Sequence, residues 1–227
     1  MLTALRKVVL LVAVVGLLVV ADVAARRASE SQLEHRIVAS VPSATAASVR
    51  IDSFPFLGRL GLSGRVPAVH AVVDDVQASG LRFSQIAVEL HDVRVDRRRL
   101  VVDRRVDLQE VDRGMATADI TQADLRAVLG NVPIILGDGR IGVTIGGVTA
   151  AVSISLRDNV LRLTAGRLAI PTITLPRVPL LPCVTDAVAQ PGRLRLSCTL
   201  GTVTDELLRE VNRRISGDAF ASAQRGG

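Results

Sequence analysis

The chain has 227 residues and 48% hydrophobic content, enough for one domain with a sizeable core, and a net charge of +6 carried almost wholly by arginine, since Lys7 is the only lysine. Aromatic content is 2%, with no Trp and no Tyr, which argues against the stacking platforms that hold RNA or single-stranded DNA. The arginines are interleaved with acids: Arg97-Arg98-Arg99 lies between Asp96 and Asp103, and Arg104-Arg105 between Asp103 and Asp107. That mixture is unlike the single-sign stripe of a DNA-binding face. It reads as a solvated strand face or as a contact for anionic headgroups at a membrane surface.

Met1 to Lys7 is a short basic segment, followed by 14 consecutive apolar or Gly residues, Val8 to Ala21. Crossing a bilayer takes about 20, so the run matches the apolar core of a signal peptide, with small residues for cleavage after Ala21 or Ala25. Asp22 and Arg26-Arg27 follow directly, and an uncleaved signal anchor is the alternative. Either exports residues 30–227. The expected organisation is a leader or anchor over 1–25, a single α+β domain over 26–216 and a flexible tail over 217–227.

Asp22 to Val41 reads as a helix, with Leu33, Ile37 and Val41 in a narrow stripe and Arg27, Glu34 and Arg36 on the other face. Pro42 and Ser43-Ala44-Thr45 end it. Val49 to Asp52 alternates as a strand and runs into Phe54-Pro55-Phe56-Leu57, an apolar knob at a strand end that reads as a core plug or as the lip of a groove. Gly58, Gly61 and Gly64 suggest a turn-rich connection. Val66 to Val76 reads as a strand. Ile86, Val88 and Leu90 alternate until His91-Asp92, where Val93 and Val95 change the parity and a bulge or bend is expected. Leu100 to Val111 reads as a further strand pair. Thr121-Gln122-Ala123-Asp124 resembles a capping box before a short helix with Leu125, Val128 and Leu129, closed by Gly130.

The clearest pattern follows. Ile141, Val143 and Ile145 alternate up to Gly146-Gly147. Val148 to Leu156 alternates up to Asp158-Asn159, and Leu161, Leu163 and Ala165 alternate again. This is a three-strand antiparallel meander with one aliphatic face and one carrying Thr144, Thr149, Ser153, Ser155 and Arg162. Pro171, Pro176, Pro179 and Pro182 then break regular pairing in an apolar segment, which is a loop across the core or a lid over a groove. Leu194 to Leu200 alternates as a strand. A final helix capped by Thr202 or Thr204 would present Leu208, Val211 and Ile215.

Two cysteines in an exported chain, Cys183 and Cys198, read as a disulfide, worth about 3 kcal/mol for the loop between them. Gly137-Asp138-Gly139-Arg140-Ile141-Gly142 satisfies G-x-G-x-x-G, but a strand pattern follows where a dinucleotide site needs a helix, so it reads as a hairpin turn. Gly61-Leu62-Ser63-Gly64-Arg65 lacks the last Gly of a nucleophile elbow. His35, His70 and His91 have no metal-ligand spacing, and Asp74-Asp75 lacks calcium-loop spacing. No catalytic constellation, metal set or cofactor motif is visible.

Certain features together resemble the LmeA-like phospholipid-binding family of actinobacterial envelope proteins. They are a strand ending in Ser53-Phe54-Pro55-Phe56-Leu57 after an apolar segment and an Ala/Arg/Glu helix, the Leu175-Pro176 to Pro182 cluster leading into Cys183, and the late Leu196-Ser197-Cys198. The resemblance covers about residues 20–215, and none of its motifs is catalytic. It implies a curved, mostly antiparallel sheet packed on the long N-terminal helix, with a short mid-chain helix and a C-terminal helix: a lipid-carrier-like half-barrel. It further implies non-catalytic binding of phospholipid, of phosphatidylinositol type, in support of lipoglycan or envelope assembly, with the membrane surface as partner and no nucleic acid. On that basis Phe54, Pro55, Phe56 and Leu57 are candidates for the groove lip, and Arg59 and Arg65 for headgroup contact. The rival is an envelope-anchored interaction module whose aliphatic core is closed.

Overall fold

A computed structural model describes residues 2–201 apart from 42, 103–106, 131, 146–147, 158, 166–167, 170–171, 177 and 179. The expected C-terminal helix, the 217–227 tail, Pro42, Arg104-Arg105, Gly146-Gly147, Pro171 and Pro179 lie outside the described residues. In chain order the elements are α1 (Leu2–Ser40), β1 (Ala46–Asp52), α2 (Phe56–Ser63), β2 (Arg65–Ala78), β3 (Leu81–Val95), α3 (Arg97–Val102), β4 (Leu108–Thr121), α4 (Gln122–Val128), β5 (Ile134–Gly137), β6 (Arg140–Ile145), β7 (Val148–Arg157), β8 (Val160–Ala165), β9 (Leu168–Ala169), β10 (Ile173–Thr174), β11 (Asp186–Gln190) and β12 (Arg193–Leu200). The fold is α+β, and all described strand pairs are antiparallel.

One sheet runs β1-β2-β3-β4-β12-β11 and curls into a half-barrel; the other runs β10-β8-β7-β6-β5, with β9 beside β8. The spine of the first is the long hairpin β2–β3, whose Ser79-Gly80 turn has φ of +48° and +82°. Two left-handed residues in a two-residue turn match the twist of the strands they join. The second sheet holds the expected meander. Asp138-Gly139 closes the β5–β6 hairpin, so the glycine motif is a turn. The inner faces of the two sheets meet in one core that includes Phe83, Ile86, Ile120, Leu194 and Leu196 from the first and Ile134, Val143, Leu161 and Leu163 from the second. The proline segment seals this core with Ile173, Leu175, Val178 and Leu181. Backbone bonds from Gly139 N–H to the Ala189 carbonyl (2.9 Å) and from Gly192 N–H to the Leu136 carbonyl (3.2 Å) tie the sheets at one end.

The parity change expected at His91-Asp92 is present as a crease across three strands. Val66, Val93 and Val111 are paired on one side of it, and Val69, Leu90 and Gly114 on the other. Val66, Val93 and Val111 share a cluster with Val69 and Leu90, so each strand skips one residue there while the same face stays apolar. Asp92 absorbs the bend at φ +49°, a left-handed conformation that Asp tolerates better than most residues. The register is held through the crease and shifts only between Arg94 and Val95. A bend repeated on neighbouring strands curls the sheet where a bulge on one strand would only kink it.

Three local expectations are corrected. Phe56 to Ser63 is a helix rather than a turn-rich link, closed by Gly64 at φ +65°. Leu100 to Val102 belongs to α3 and β4 begins at Leu108, so among the described residues of 100–111 the expected strand pair is replaced by a helix end and one strand. Arg97-Arg98-Arg99 therefore sits on a short helix, not on a strand face. Asp96 accepts from the Arg98 and Arg99 N–H groups (2.9 and 3.1 Å) and starts that turn. The mid-chain helix forms as expected, with Thr121 Oγ1 accepting from Asp124 N–H at 3.1 Å.

Candidate lipid-binding trough

The register of the first sheet arranges its inner face in rows. One runs Ala47–Val73–Ile86–Ala118–Leu196 and faces the second sheet. The next is Val49–Ala71–Val88–Ala116–Cys198, and the third Ile51–Val69–Leu90–Gly114–Leu200. Beyond the crease lies Val66–Val93–Val111. No polar side chain interrupts these rows. The outer two rows are buried, one by the second sheet and the other in the cluster that includes Phe56 of α2. In the middle two, Ala71, Val88, Val69, Leu90 and Leu200 are only half-buried. The result is a half-open apolar trough on the concave face. Along β2 its half-open part runs through Val69 and Ala71, and the buried Val66 and Val73 close it at either end.

Helix α1 walls the trough on the β1 side. Leu33 and Ile37 pack as the stripe expects, Ile37 against both core clusters. The helix is fixed by three acids, of which the sequence pattern placed Glu34 on the face opposite the apolar stripe. β1 is the edge strand, and its outward Val49 and Ile51 N–H groups donate to Glu34 Oε1 (2.9 Å) and Glu30 Oε1 (2.8 Å). Those carboxylates take the place of a missing strand and protect the edge. About two turns further towards the N-terminus, Asp22 is buried at 6% exposure and accepts from the Phe56 and Leu57 N–H groups at 2.8 and 2.6 Å. It satisfies the first orphan donors of α2 and sits at the positive end of that helix. α1 continues unbroken through Ala21 and Ala25. Among the described residues no helix is long and apolar enough to cross a membrane.

The knob divides. Phe56 is turned inward at 6% exposure and packs with Val49, Ile51, Val66, Val93, Val95 and Val111, so it is a plug at the end of the trough. Phe54 (61% exposed) and Leu57 (47%) face outward, as does Pro55. Arg59 and Arg65 are exposed on either side of Gly64. Leu62, at 83% exposure, joins this surface and was not singled out by sequence. The Arg97 guanidinium donates to its carbonyl at 2.6 Å.

The convex face is polar. Arg50 bonds Asp52 (2.9 Å), holding its carboxyl below the usual range. His70 lies 3.2 Å from Asp52, and His91 lies 2.9 Å from Glu89. His70 and His91 share this face, with ring centroids 6.5 Å apart. Among the described residues no group of three or more His, Cys, Asp or Glu could hold a metal ion. Asp119, buried between β4 and β12, accepts two bonds from Arg195 (2.8 and 2.9 Å) and one from Arg193 (3.1 Å), and it raises the Arg195 pKa. Close by, a cavity of about 690 Å³ is lined by Ser84, Thr121, Asp138, Gln190, Pro191, Gly192 and Arg193. With proline its only apolar side chain, it offers nothing to an acyl chain. Cys183 and Cys198 are joined, their Cα atoms 5.4 Å apart, and the bond staples the proline segment to β12 within the second row.

A curled antiparallel sheet with a half-open aliphatic face, walled by a long helix, defines a lipid-carrier-like α+β half-barrel. A family model described as LmeA-like phospholipid-binding matches residues 20–215, and the chain belongs to that family. Searches of curated proteins and of solved structures gave no match.

Proposed function

We propose that the protein is a non-catalytic phospholipid binder of the cell envelope, holding acyl chains in the trough. The observation that carries this reading is the run of half-buried aliphatic side chains in the two middle rows, on a face with no polar interruption. Each CH₂ laid there leaves water at a gain of about 0.8 kcal/mol. Arg59 and Arg65, both exposed, are the candidates to pair a headgroup phosphate. Phe54, Pro55 and Leu57 form the lip. The ligand class is phosphatidylinositol-type lipid, and the role is to support lipoglycan or envelope assembly. Export through the N-terminal segment suits the disulfide, which needs an oxidising compartment.

The test is organic-solvent extraction of the purified full chain, followed by mass spectrometry. Stoichiometric phospholipid, reduced in Phe54→Asp, is expected. A lipid-free extract with no uptake from liposomes overturns the reading in favour of an interaction module with a closed core. Phe56 is unsuitable for the test, because a charge at that buried site would unfold the end of the trough.

A further inference from the structure

We propose that Phe54 and α2 form a foot that stands on a phospholipid bilayer, with α1 retained as one helix that runs from the bilayer into the fold. This deepens the lipid reading by naming the membrane-facing surface, and it rests on that reading only for the cargo.

Three observations converge at one end of the molecule. First, Phe54 just before α2 and Leu57 and Leu62 on it expose large apolar side chains, whereas Phe56 and Leu60 of the same helix belong to the core cluster. Second, Asp22 ties the first turn of α2 to α1 one residue after the apolar run ends at Ala21. Just before it, Val14, Val15, Leu17, Leu18, Val19 and Val20 are 42–71% exposed. At 1.5 Å per residue the 14-residue run is about 21 Å long, deeper than a leaflet of ~15 Å. Inserted, it brings the foot to the interface. Third, arginines accompany the patch: Arg59 lies on α2 and Arg65 follows its Gly64 cap, both exposed, and Arg97 donates to the Leu62 carbonyl at the end of α2. Apolar side chains accompanied by arginines match the acyl and phosphate layers of an anionic leaflet. A soluble protein partner would offer no counterpart to the apolar helix beside the patch.

The geometry also orients the trough. Phe56 belongs both to α2 and to the cluster that ends the trough at Val66, Val93 and Val111. A lipid leaving the bilayer at the foot would meet that end, closed by Phe56, first.

The absence of Trp and Tyr makes the test direct. Full-length Leu62→Trp and Phe54→Trp each carry a unique fluorophore at the foot. Gln77→Trp carries one at the far end of β2, where Gln77 is exposed. Each is reconstituted into vesicles of phosphatidylcholine and phosphatidylglycerol containing acyl-brominated lipid. Blue-shifted emission and several-fold stronger quenching at positions 54 and 62 than at 77 are expected. Equal quenching at the three sites overturns the foot. Intact-mass analysis of the exported protein should retain Val8 to Ala21, and their removal overturns the retained helix. Solvent extraction of the same samples reports the cargo separately: foot quenching with no bound lipid removes the carrier reading and leaves docking standing.

Discussion

Val88→Asp tests the trough at its centre. Val88 is half-buried, paired with Ala71 on one side and Ala116 on the other, in a row with no polar partner for a carboxylate. In the lipid-free protein the new carboxylate reaches water through the open side, so the fold loses only the burial of part of one side chain and some strand propensity, about 2 kcal/mol. With acyl chains in place it would be desolvated without a hydrogen bond, at a cost of at least about 3 kcal/mol, or roughly 100-fold in occupancy. Ala87→Asp is the control: it carries the same change on the adjacent residue, whose side chain points to the convex face in a row with Val72 and Thr117. Phospholipid per mole of protein, measured by mass spectrometry after purification, should fall to trace in Val88→Asp and stay at the wild-type value in Ala87→Asp. Circular dichroism should show both folded. A folded Val88→Asp protein with wild-type lipid content would refute the placement of the acyl chains.

Other perturbations test what holds the half-barrel together. Asp119→Ala leaves Arg193 and Arg195 facing each other without their shared carboxylate; it should cost about 2 kcal/mol and lower the melting temperature by roughly 4–8 °C, with Asp119→Asn losing less. The double variant Cys183→Ser/Cys198→Ala should lose about 3 kcal/mol in denaturant titrations, and reducing agent should produce a comparable loss in the wild type only. Asp52 and Asp75 have lowered pKa values, through hydrogen bonds from Arg50 and Arg82. Their small contribution is therefore complete above the ordinary carboxylate range and is lost as pH falls below about 4. Thermal melts should be insensitive to these groups between pH 7 and 5, and Asp52→Asn/Asp75→Asn should flatten the acid limb.

Much of the scaffold is a local property of the sequence. Strict alternation in 141–165 specifies three strands and their buried face, because side chains on a strand have period two. The Thr121–Asp124 cap and the Asp138-Gly139 turn depend on bonds or backbone angles within a few residues, so the helix and the hairpin were legible. The parity change at Asp92 was legible for the same reason. The family resemblance was carried by short motifs such as Phe54-Pro55-Phe56 and the proline segment before Cys183, and it anticipated the half-barrel.

The trough itself was decided by tertiary structure. Val88 and Leu90 look like any inward strand residues. That they are half-open while Ile86 is sealed depends on where the second sheet ends and where α1 crosses. The register of five strands, and not any one of them, lines up Val49, Ala71, Val88, Ala116 and Cys198. Helix α2 was unreadable because Gly58 and Gly61 are poor helix formers, whereas Asp22 and the packing of Phe56 and Leu60 stabilise it from outside. The roles of Asp22, Glu30 and Glu34 were not legible, because their partners are backbone N–H groups 15 to 35 residues away. Every residue except proline carries such a donor, so no pattern of side chains marks which ones a carboxylate will find.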